Sequence, residues 1–390
     1  MSLTLLHTAD VHLGTRFPSL GEAAQQRGKD FLETFSKITH IALEKKVDAL
    51  LIAGDLFDSP HPTPTVFCRV KAEFEKLIEA HIPIVLIPGT HDNIMASDNI
   101  YRHPFFEKTL LFKDPILKEP KTLLIRETPL YLYGMAYHPN ASKADISKAG
   151  ASNDYLKNLK RRDDVAPGVH VGLLHGSLAG SPDWKIYAKD FPFQVEDLAA
   201  LNLDYCALGH YHNRTVYHHN GKIVASYPGT PEGKRFRESG PRYVHLLEFD
   251  EKNVLTLTPI AVNTKTLIEK EVDLFTLPPD ISLTKELISM GGDHILARIT
   301  LKGVVEDVLD IEKLHADLAP YFSYLEINDE TSLLESQWLE RLEKENTIRG
   351  FFVRKMKEKI ELLRTPEEQE VYRTAFKEIL SEFQKRAHDF

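Results

Sequence analysis

Five short segments rich in aspartate and histidine each follow a run of apolar residues, and this arrangement restricts the possible fold more than any other feature of the chain. The segments begin at Asp10, Gly54, Gly89, His175 and Gly209, and the apolar runs before them are typical of buried strands. In an α/β sheet, functional groups gather in the crevice at the carboxyl ends of the strands. We therefore expect five segments spread over about 200 residues to meet in one pocket.

The side chains in these segments are those that bind divalent metal ions. The residues expected to meet in the pocket are Asp10, His12, Asp55, His91, His175, His210 and His212. Asp55 begins a Gly-Asp-x-x-Asp motif and can bridge two cations, whereas Asp58 at its end is expected to orient a ligand through a hydrogen bond. Residues i and i+2 of an extended segment share a face, so His210 and His212 can reach adjacent ions. An Asp-x-His motif alone is usually structural, and only the order of all five motifs predicts a metal centre.

Composition sets broad limits on the class of protein. A chain of 390 residues predicts two or three domains, and a hydrophobic share of 42% with a charged share of 27% is that of an ordinary globular protein. No apolar run reaches the roughly 18 residues that predict a membrane span. Cys68 and Cys206 are the only cysteines, which fits a cytoplasmic protein. The net charge of −9 argues against wholesale binding to a polyanion, although it permits a local basic surface.

The pattern of elements changes along the chain. Residues 1–263 alternate strands with helices, including helices at 22–46 and 65–80, which predicts two mixed sheets packed face to face with helices outside. Residues 264–333 form a smaller α+β unit, and residues 334–390 are nearly all helical with an apolar stripe. This stripe has two interpretations. It packs on its own domain, or it docks on a groove or coiled coil of a partner.

The order of the five motifs resembles that of the calcineurin-like metallophosphoesterases, whose motifs are Asp-x-His, Gly-Asp-x-x-Asp, Gly-Asn-His-Asp, His and Gly-His-x-His. This resemblance covers residues 1–240. More narrowly, the chain is similar to the SbcD nucleases of DNA double-strand-break repair, including their YhaO-type bacterial relatives. The narrower resemblance lies in residues 7–14, 53–57, 207–210 and 227–232. It implies a four-layer α/β/β/α sandwich of two mixed sheets for the first domain, followed by a small α+β cap and C-terminal helices.

The resemblance also implies roles for the site residues. Asp10, His12 and His212 would hold one divalent ion, His175 and His210 a second, and Asp55 would bridge them. Such a pair of ions activates a water and stabilises the leaving oxygen of a phosphoester. His91 would protonate that oxygen, with Asp92 holding its ring. A mixture of carboxylate and imidazole suits Mn, Fe or Zn better than Ca, and because the family favours manganese we expect two Mn²⁺ ions.

One position departs from the family pattern. The resemblance places an asparagine, whose carbonyl oxygen contacts the second ion, where this chain has Thr90. A neutral hydroxyl on a shorter side chain is a poorer ligand, so we expect Thr90 to weaken the second site. A catalytically weakened scaffold that only binds DNA is therefore one alternative function.

The metal centre by itself predicts only a phosphoester substrate, since the same fold serves phosphatases, cyclic-nucleotide esterases and nucleases. The narrower resemblance implies a DNA exonuclease and endonuclease, with Lys234, Arg235 and Arg237 as candidate contacts to DNA phosphates. A small-molecule phosphodiesterase or phosphatase is the alternative enzyme. The resemblance further implies an SbcC-like coiled-coil ATPase bound to the helices from residue 334, a DNA-facing cap at 264–333, and a homodimer formed through residues 65–80 and 98–106.

Overall fold

The structure is a computed structural model that describes part of the chain residue by residue. The described residues are 2–21, 23–137, 156–178, 192–274, 277, 282–305, 308–333 and 336–387. They form two compact units, Met1–Lys265 and Thr266–Phe390. Residues 334 and 335, where the predicted helical segment begins, lie outside the described residues. Among the described helices, none combines the length and apolar character that a bilayer-spanning segment needs.

The first unit contains twelve strands and three α-helices within the described residues. In chain order they are β1 (Leu3–Thr8), α1 (Ala23–Glu44), β2 (Ala49–Ala53), α2 (Pro64–Glu79), β3 (Ile84–Ile87), β4 (Leu110–Leu111), β5 (Lys121–Ile125), β6 (Thr128–Gly134), β7 (Val169–His175), α3 (Val195–Ala200), β8 (Tyr205–Gly209), β9 (Thr215–His219), β10 (Lys222–Tyr227), β11 (Tyr243–Phe249) and β12 (Leu255–Ala261). All five apolar runs identified in the sequence are strands, namely β1, β2, β3, β7 and β8.

These strands form two six-stranded mixed sheets. The first has the order β12-β11-β1-β2-β3-β4 and the second β5-β6-β7-β8-β10-β9. One hydrophobic cluster contains Leu5 and Leu51 of the first sheet together with Val171 and Ala207 of the second, so the sheets face each other across the core. Every residue of β2 is buried, as expected for a strand of a sheet covered on both faces. The predicted sandwich of two mixed sheets with helices is confirmed.

The helices begin where the local chemistry favours a helix start. Pro64 occupies the first turn of α2, where its missing N–H costs nothing, and the Thr63 side chain accepts a hydrogen bond from the Val66 N–H. In α1, which lies within the predicted helix at 22–46, the apolar residues Phe31, Phe35 and Ile38 are buried at helical spacing.

The second unit contains five strands and five α-helices within the described residues. They are β13 (Thr266–Asp273), α4 (Leu283–Ser289), β14 (Gly292–Lys302), β15 (Val304–Val305), α5 (Ile311–Leu318), β16 (Phe322–Asp329), β17 (Ser332–Leu333), α6 (Ser336–Lys344), α7 (Ile348–Leu362) and α8 (Pro366–Ala387). The strands β13, β14 and β16 form a parallel sheet with its own core, which packs α4 and α5.

The helices α6, α7 and α8 share a separate small core. Leu342, Val353, Phe376 and Leu380 are buried together in it. Part of the apolar stripe therefore packs on neighbouring helices, whereas Val371 of the same stripe is exposed. The functions assigned by resemblance to the cap and to these helices stay predictions.

Candidate metal centre

Hydrogen bonds join all five motif segments at the carboxyl edge of the two sheets. The Asp10 N–H donates to the Gly54 carbonyl at 3.1 Å, which joins the first two segments. The His91 N–H donates to Asp55 Oδ1 at 2.8 Å, and the His175 Nδ1 lies 2.9 Å from the Ala53 carbonyl oxygen. The His210 N–H donates to both oxygens of Asp10 at 2.9 and 3.0 Å. The convergence expected from the sequence is present.

A first group of candidate ligands consists of Asp10, His12 and His212. One ligand atom from each lies within 4.8 Å of the others. The Nε2 atoms of His12 and His212 face each other at 3.1 Å. Two imidazole nitrogens and a buried carboxylate oxygen at this spacing form a donor set that suits a transition-metal cation.

A second group consists of Asp10, Asp55 and His175, and one ligand atom from each again lies within 4.8 Å of the others. Asp55 Oδ2 lies 3.4 Å from His175 Nε2 and 3.8 Å from His12 Nε2, so one oxygen approaches imidazoles of both groups. The His210 ring lies 5.2 Å from the His175 ring, centre to centre. Asp55 is thus placed where a bridging carboxylate is needed, and the assigned ligand roles stay predictions.

The His175 imidazole is oriented as a metal ligand requires. A hydrogen bond from its Nδ1–H to the Ala53 carbonyl would fix the tautomer that leaves a lone pair on Nε2. That Nε2 is buried and makes no hydrogen bond within the described part of the chain. Buried polar atoms are nearly always satisfied, so an orphaned nitrogen beside two carboxylates fits a bound cation.

Four of the eleven described non-glycine residues with a positive φ lie in these motif segments. Asp10, His12 and Asp55 have φ angles of 52°, 51° and 51°, and His210 has φ 108°. Residues other than glycine rarely adopt a positive φ, and each such residue lowers the free energy of unfolding by about 1–3 kcal/mol. The surrounding hydrogen bonds must hold these four residues in place, which is the pattern seen where function requires a fixed geometry.

Two glycines allow the segments to approach closely. Gly54 has φ 90°, and a methyl group added there would overlap the His175 ring. A methyl group at Gly209 would overlap the Ala53 carbonyl oxygen and approach His175 Nδ1 to 2.9 Å. Both positions need glycine so that His175 can lie between the β2 and β8 ends.

Burial and neighbouring charges shift the pKa values of the site residues in opposite directions. Burial lowers the pKa of His12 and of His210 to about 3, so both rings are neutral and able to bind metal. Burial would lower the pKa of His175 as well, but the adjacent Asp55 carboxylate raises it to about 9. Burial raises the pKa of Asp10 to about 6. Asp55 has a pKa well below its usual value because His175 outweighs its own burial.

The expectation that Asp92 holds the His91 ring is wrong. The Asp92 carboxylate is buried, and it accepts hydrogen bonds from the Gly89 N–H at 2.7 Å and the Tyr101 hydroxyl at 2.6 Å. It therefore fixes the backbone of the loop. The His91 Nδ1 instead lies 3.3 Å from the Asp58 carbonyl oxygen and 3.5 Å from its Oδ1, and the His91 side chain is 46% exposed.

Thr90 points to the Asp55 carboxylate. Its hydroxyl donates to Asp55 Oδ2 at 3.1 Å, the oxygen that approaches both imidazole groups. The hydroxyl thus has a partner besides any metal ion. Its predicted role as a weak ligand of the second ion stays a prediction.

Asp58 lies beside a candidate ligand, with its Oδ1 3.0 Å from His12 Nδ1, and its predicted role in orienting that ligand stays a prediction. Burial would raise the pKa of Asp58, but hydrogen bonds from His12 and Lys234 hold it well below the usual value. Lys234, predicted as a DNA contact, is therefore engaged inside the site, with Nζ 2.8 Å from Asp58 Oδ1. Arg235 and Arg237 are exposed, as a contact to DNA requires.

Glu238 is a site residue that the sequence reasoning missed. Its Oε1 lies 2.7 Å from His212 Nδ1, behind the imidazole whose Nε2 faces His12. Burial would raise its pKa, but the hydrogen bonds from His212 and from the Lys234 N–H lower it to about 2. A carboxylate behind a ligating histidine is the usual outer partner in metal sites. The one sequence signal for Glu238 is that it is an acidic residue at the end of a basic run. Only the basic residues of that run appear among the predicted site residues.

Comparisons with known proteins agree with this geometry. The family model described as calcineurin-like phosphoesterase matches residues 3–214. An uncharacterized metallophosphoesterase, YhaO of Bacillus subtilis, is 28% identical over 320 residues, which are 79% of this chain and 73% of that protein. The DNA double-strand break repair protein Mre11 of Sulfurisphaera tokodaii is 30% identical over 60% of this chain and 55% of its own length. Mre11 of Saccharolobus solfataricus is 27% identical over 83% of this chain and 79% of its own length.

Proposed function

This chain belongs to the calcineurin-like phosphoesterases, and from that premise we propose that it is a metal-dependent DNA nuclease of double-strand-break repair. The membership confirms the family resemblance and makes the chain a phosphoester hydrolase. The observation that carries the proposal is the convergence of five segments on Asp55, with imidazoles on both sides of one carboxylate oxygen. DNA as the substrate is supported by the Mre11 relatives, whose names state DNA double-strand break repair.

The donor set fits two divalent ions such as Mn, Fe or Zn, and we propose Mn²⁺ because the family resemblance favours it. Asp10, His12 and His212 would hold one ion and His175 and His210 the other, with Asp55 between them. Bound there, the ions would polarise the phosphodiester and lower the pKa of the attacking water. The buried His175 Nε2 makes no hydrogen bond within the described residues and lies 3.4 Å from Asp55 Oδ2, which supports this assignment.

The protein's own acid is His91. Its ring packs edge-on against the His12 ring at 4.7 Å and is half exposed, so it borders the metal centre from the solvent side. From there its imidazolium would donate a proton to the leaving oxygen. The Asp58 carbonyl oxygen, 3.3 Å from Nδ1, would hold the ring and leave Nε2 to face the substrate.

The contacts to DNA should lie on the first unit. Residues 266–333 contain 14 acidic and 5 basic residues, and their net charge of −9 equals that of the whole chain. Such a segment repels phosphates, so its charge argues against the predicted DNA-facing role of the cap. The exposed Arg235 and Arg237 adjoin Lys234 and therefore the metal centre, and they would bind the backbone without reading sequence.

The C-terminal helices offer a surface for the proposed coiled-coil ATPase. Ile348, Phe351 and Leu362 of α7 are exposed and lie on one side of the helix by its 3.6-residue period. Exposed apolar side chains in a row are typical of helix docking. Homodimer formation through residues 65–80 and 98–106 stays a prediction.

The test is hydrolysis by the purified full chain with Mn²⁺. Labelled linear and hairpin DNA are assayed beside a chromogenic phosphodiester. Metal-dependent DNA cleavage that is lost in His91→Ala and retained in His218→Ala, a matched change at an exposed histidine, supports the nuclease. Turnover of the diester without DNA cleavage supports the small-molecule phosphodiesterase, and DNA binding without turnover supports the weakened scaffold.

A further inference from the structure

The two facing imidazoles of the first metal group are each backed by a carboxylate. Asp58 Oδ1 lies 3.0 Å from His12 Nδ1, and Glu238 Oε1 lies 2.7 Å from His212 Nδ1. A carboxylate oxygen therefore lies behind each ring, and the two rings present Nε2 to each other at 3.1 Å. The orientation of both ligands depends on where these two carboxylates are held.

One residue holds both carboxylates. The Lys234 ammonium donates to Asp58 Oδ1 at 2.8 Å, and the Lys234 backbone N–H donates to Glu238 Oε2 at 2.6 Å. The contacts form a closed ring that runs from Lys234 through Asp58 and His12 to His212, and through Glu238 back to Lys234. The side chain of Lys234 is only 11% exposed, so its ammonium is turned into the site.

The backbone just before Lys234 is held by a buried arginine of helix α1. Arg27 of α1 donates through Nη2 to the Gly233 carbonyl at 2.5 Å, and its Nη1 lies 2.6 Å from Glu232 Oε1. Arg27 and Glu232 are both fully buried. A buried ion pair of this kind fixes the position of the loop, because breaking it would leave an uncompensated charge.

We propose that Lys234 is a positioning residue of the first divalent-cation site, and that it orients His12 through Asp58 and His212 through Glu238. This inference rests on the proposed function for the existence of the metal centre. Without the ammonium, Asp58 would be free to turn away from His12 Nδ1, and the imidazole would lose its fixed orientation. Contact with DNA phosphates would be a secondary role for a lysine held in this way.

The sign of the effect separates this role from simple electrostatics. A cation near a metal site repels the ion, so removal of its charge alone would tighten metal binding. A positioning residue gives the opposite result, because loss of an outer hydrogen-bond partner weakens metal affinity by about 10- to 100-fold. Lys234→Met removes the ammonium and keeps the length of the side chain and the backbone N–H.

The experiment measures Mn²⁺ affinity of the full chain by calorimetry. We expect Lys234→Met to weaken one of two Mn²⁺ sites by about 10- to 100-fold, and Lys234→Arg to restore most of the affinity. Arg237→Met is the matched control, since it removes an exposed cation from the same loop and should leave Mn²⁺ affinity unchanged. The thermal midpoint of the metal-free variants reports any general loss of folding.

A double-mutant cycle tests the route through Asp58. Asp58→Asn removes the charged acceptor of the ammonium, so adding Lys234→Met should produce little further loss if both act along one path. Asp58→Asn also serves as a second variant should Lys234→Met fail to fold, and it should weaken the same site.

Three results would overturn the proposal. Unchanged or tighter Mn²⁺ binding in Lys234→Met removes the positioning role while leaving the metal centre intact. Losses that add independently in the double mutant remove the route through Asp58. Absence of Mn²⁺ binding by the wild-type chain removes the proposed metal centre and this inference with it.

Discussion

Glu238→Gln tests the outer support of the metal centre most simply. The substitution keeps the shape of the side chain and removes its charge. The carboxylate accepts from His212 Nδ1 and from the Lys234 N–H, and its side chain is only 8% exposed, so solvent does not replace these bonds. We expect the His212 ring to lose both its charged partner and its fixed orientation.

The expected size follows from the pKa of Glu238, which falls from 4.5 to about 2. A shift of about 2.5 units at about 1.4 kcal/mol each is about 3.5 kcal/mol in favour of the carboxylate. Two donors share this stabilisation, so roughly half belongs to His212, which corresponds to about a tenfold change in an equilibrium constant. We therefore expect Mn²⁺ affinity to fall by about 10- to 30-fold, within the range usual for outer partners of metal ligands.

The assay is competition for Mn²⁺ against a chelating dye, at pH 7 and fixed ionic strength. Glu248→Gln, at an exposed position of β11, is the control and should bind Mn²⁺ as the wild type does. A Glu238→Gln protein that is folded and binds Mn²⁺ within twofold of the wild type would refute the reasoning.

Three further predictions concern the same unit. Gly54→Ala should remove the second metal ion and lower the free energy of unfolding by about 2 kcal/mol or more. The reasons are that a φ of 90° disfavours alanine and that the added methyl group overlaps the His175 ring. Metal stoichiometry and the thermal midpoint of unfolding measure the two effects. The buried His7 and His245 have lowered pKa values, about 3 for His245, so their neutral forms stabilise the fold above pH 6.5 and that stability is lost as pH falls toward 3. The urea midpoint should fall across this window and fall less in His245→Asn. Thr90→Asn should raise metal occupancy and rate at limiting Mn²⁺, and no change in either would remove the argument about that position.

Those parts of the site that local sequence encodes could be predicted. Each motif follows an apolar run long enough for a buried strand, and strand ends in an α/β sheet converge by topology. Asp10, Asp55 and His175 were therefore predictable as neighbours without knowledge of the connecting segments. Asp58 was also predictable as a partner of a ligand, because it lies in the same short motif as Asp55.

The contacts of Glu238 and Lys234 with the metal centre depend on the position of a loop that is distant in sequence from the five motifs. Glu238 and Lys234 follow β10 and a turn, and no periodicity in the sequence relates them to His212 or Asp58. Lys234 is predicted as a DNA contact from its place in a basic run, but the loop places its ammonium 2.8 Å from Asp58 Oδ1, on a side chain that is 24% exposed. Asp92 was assigned to the neighbouring His91, whereas the tight turn directs its carboxylate to backbone N–H groups and Tyr101.

The C-terminal helices illustrate a different limit. An apolar stripe shows that a helix face will be covered, but it does not show by what. In α8, Phe376 and Leu380 are covered by the neighbouring helices, while Val371 stays exposed. The first interpretation of the stripe therefore holds for Phe376 and Leu380, whereas docking on a partner stays a prediction for the exposed Val371.

The central claim is that this pocket holds two cations around Asp55. Anomalous diffraction from a Mn²⁺-soaked crystal of the full chain measures this directly. The account predicts two manganese peaks with the Asp55 carboxylate between them, one beside His12 and His212 and the other beside His175 and His210. A single peak, peaks remote from these residues, or no peak at saturating Mn²⁺ would contradict it.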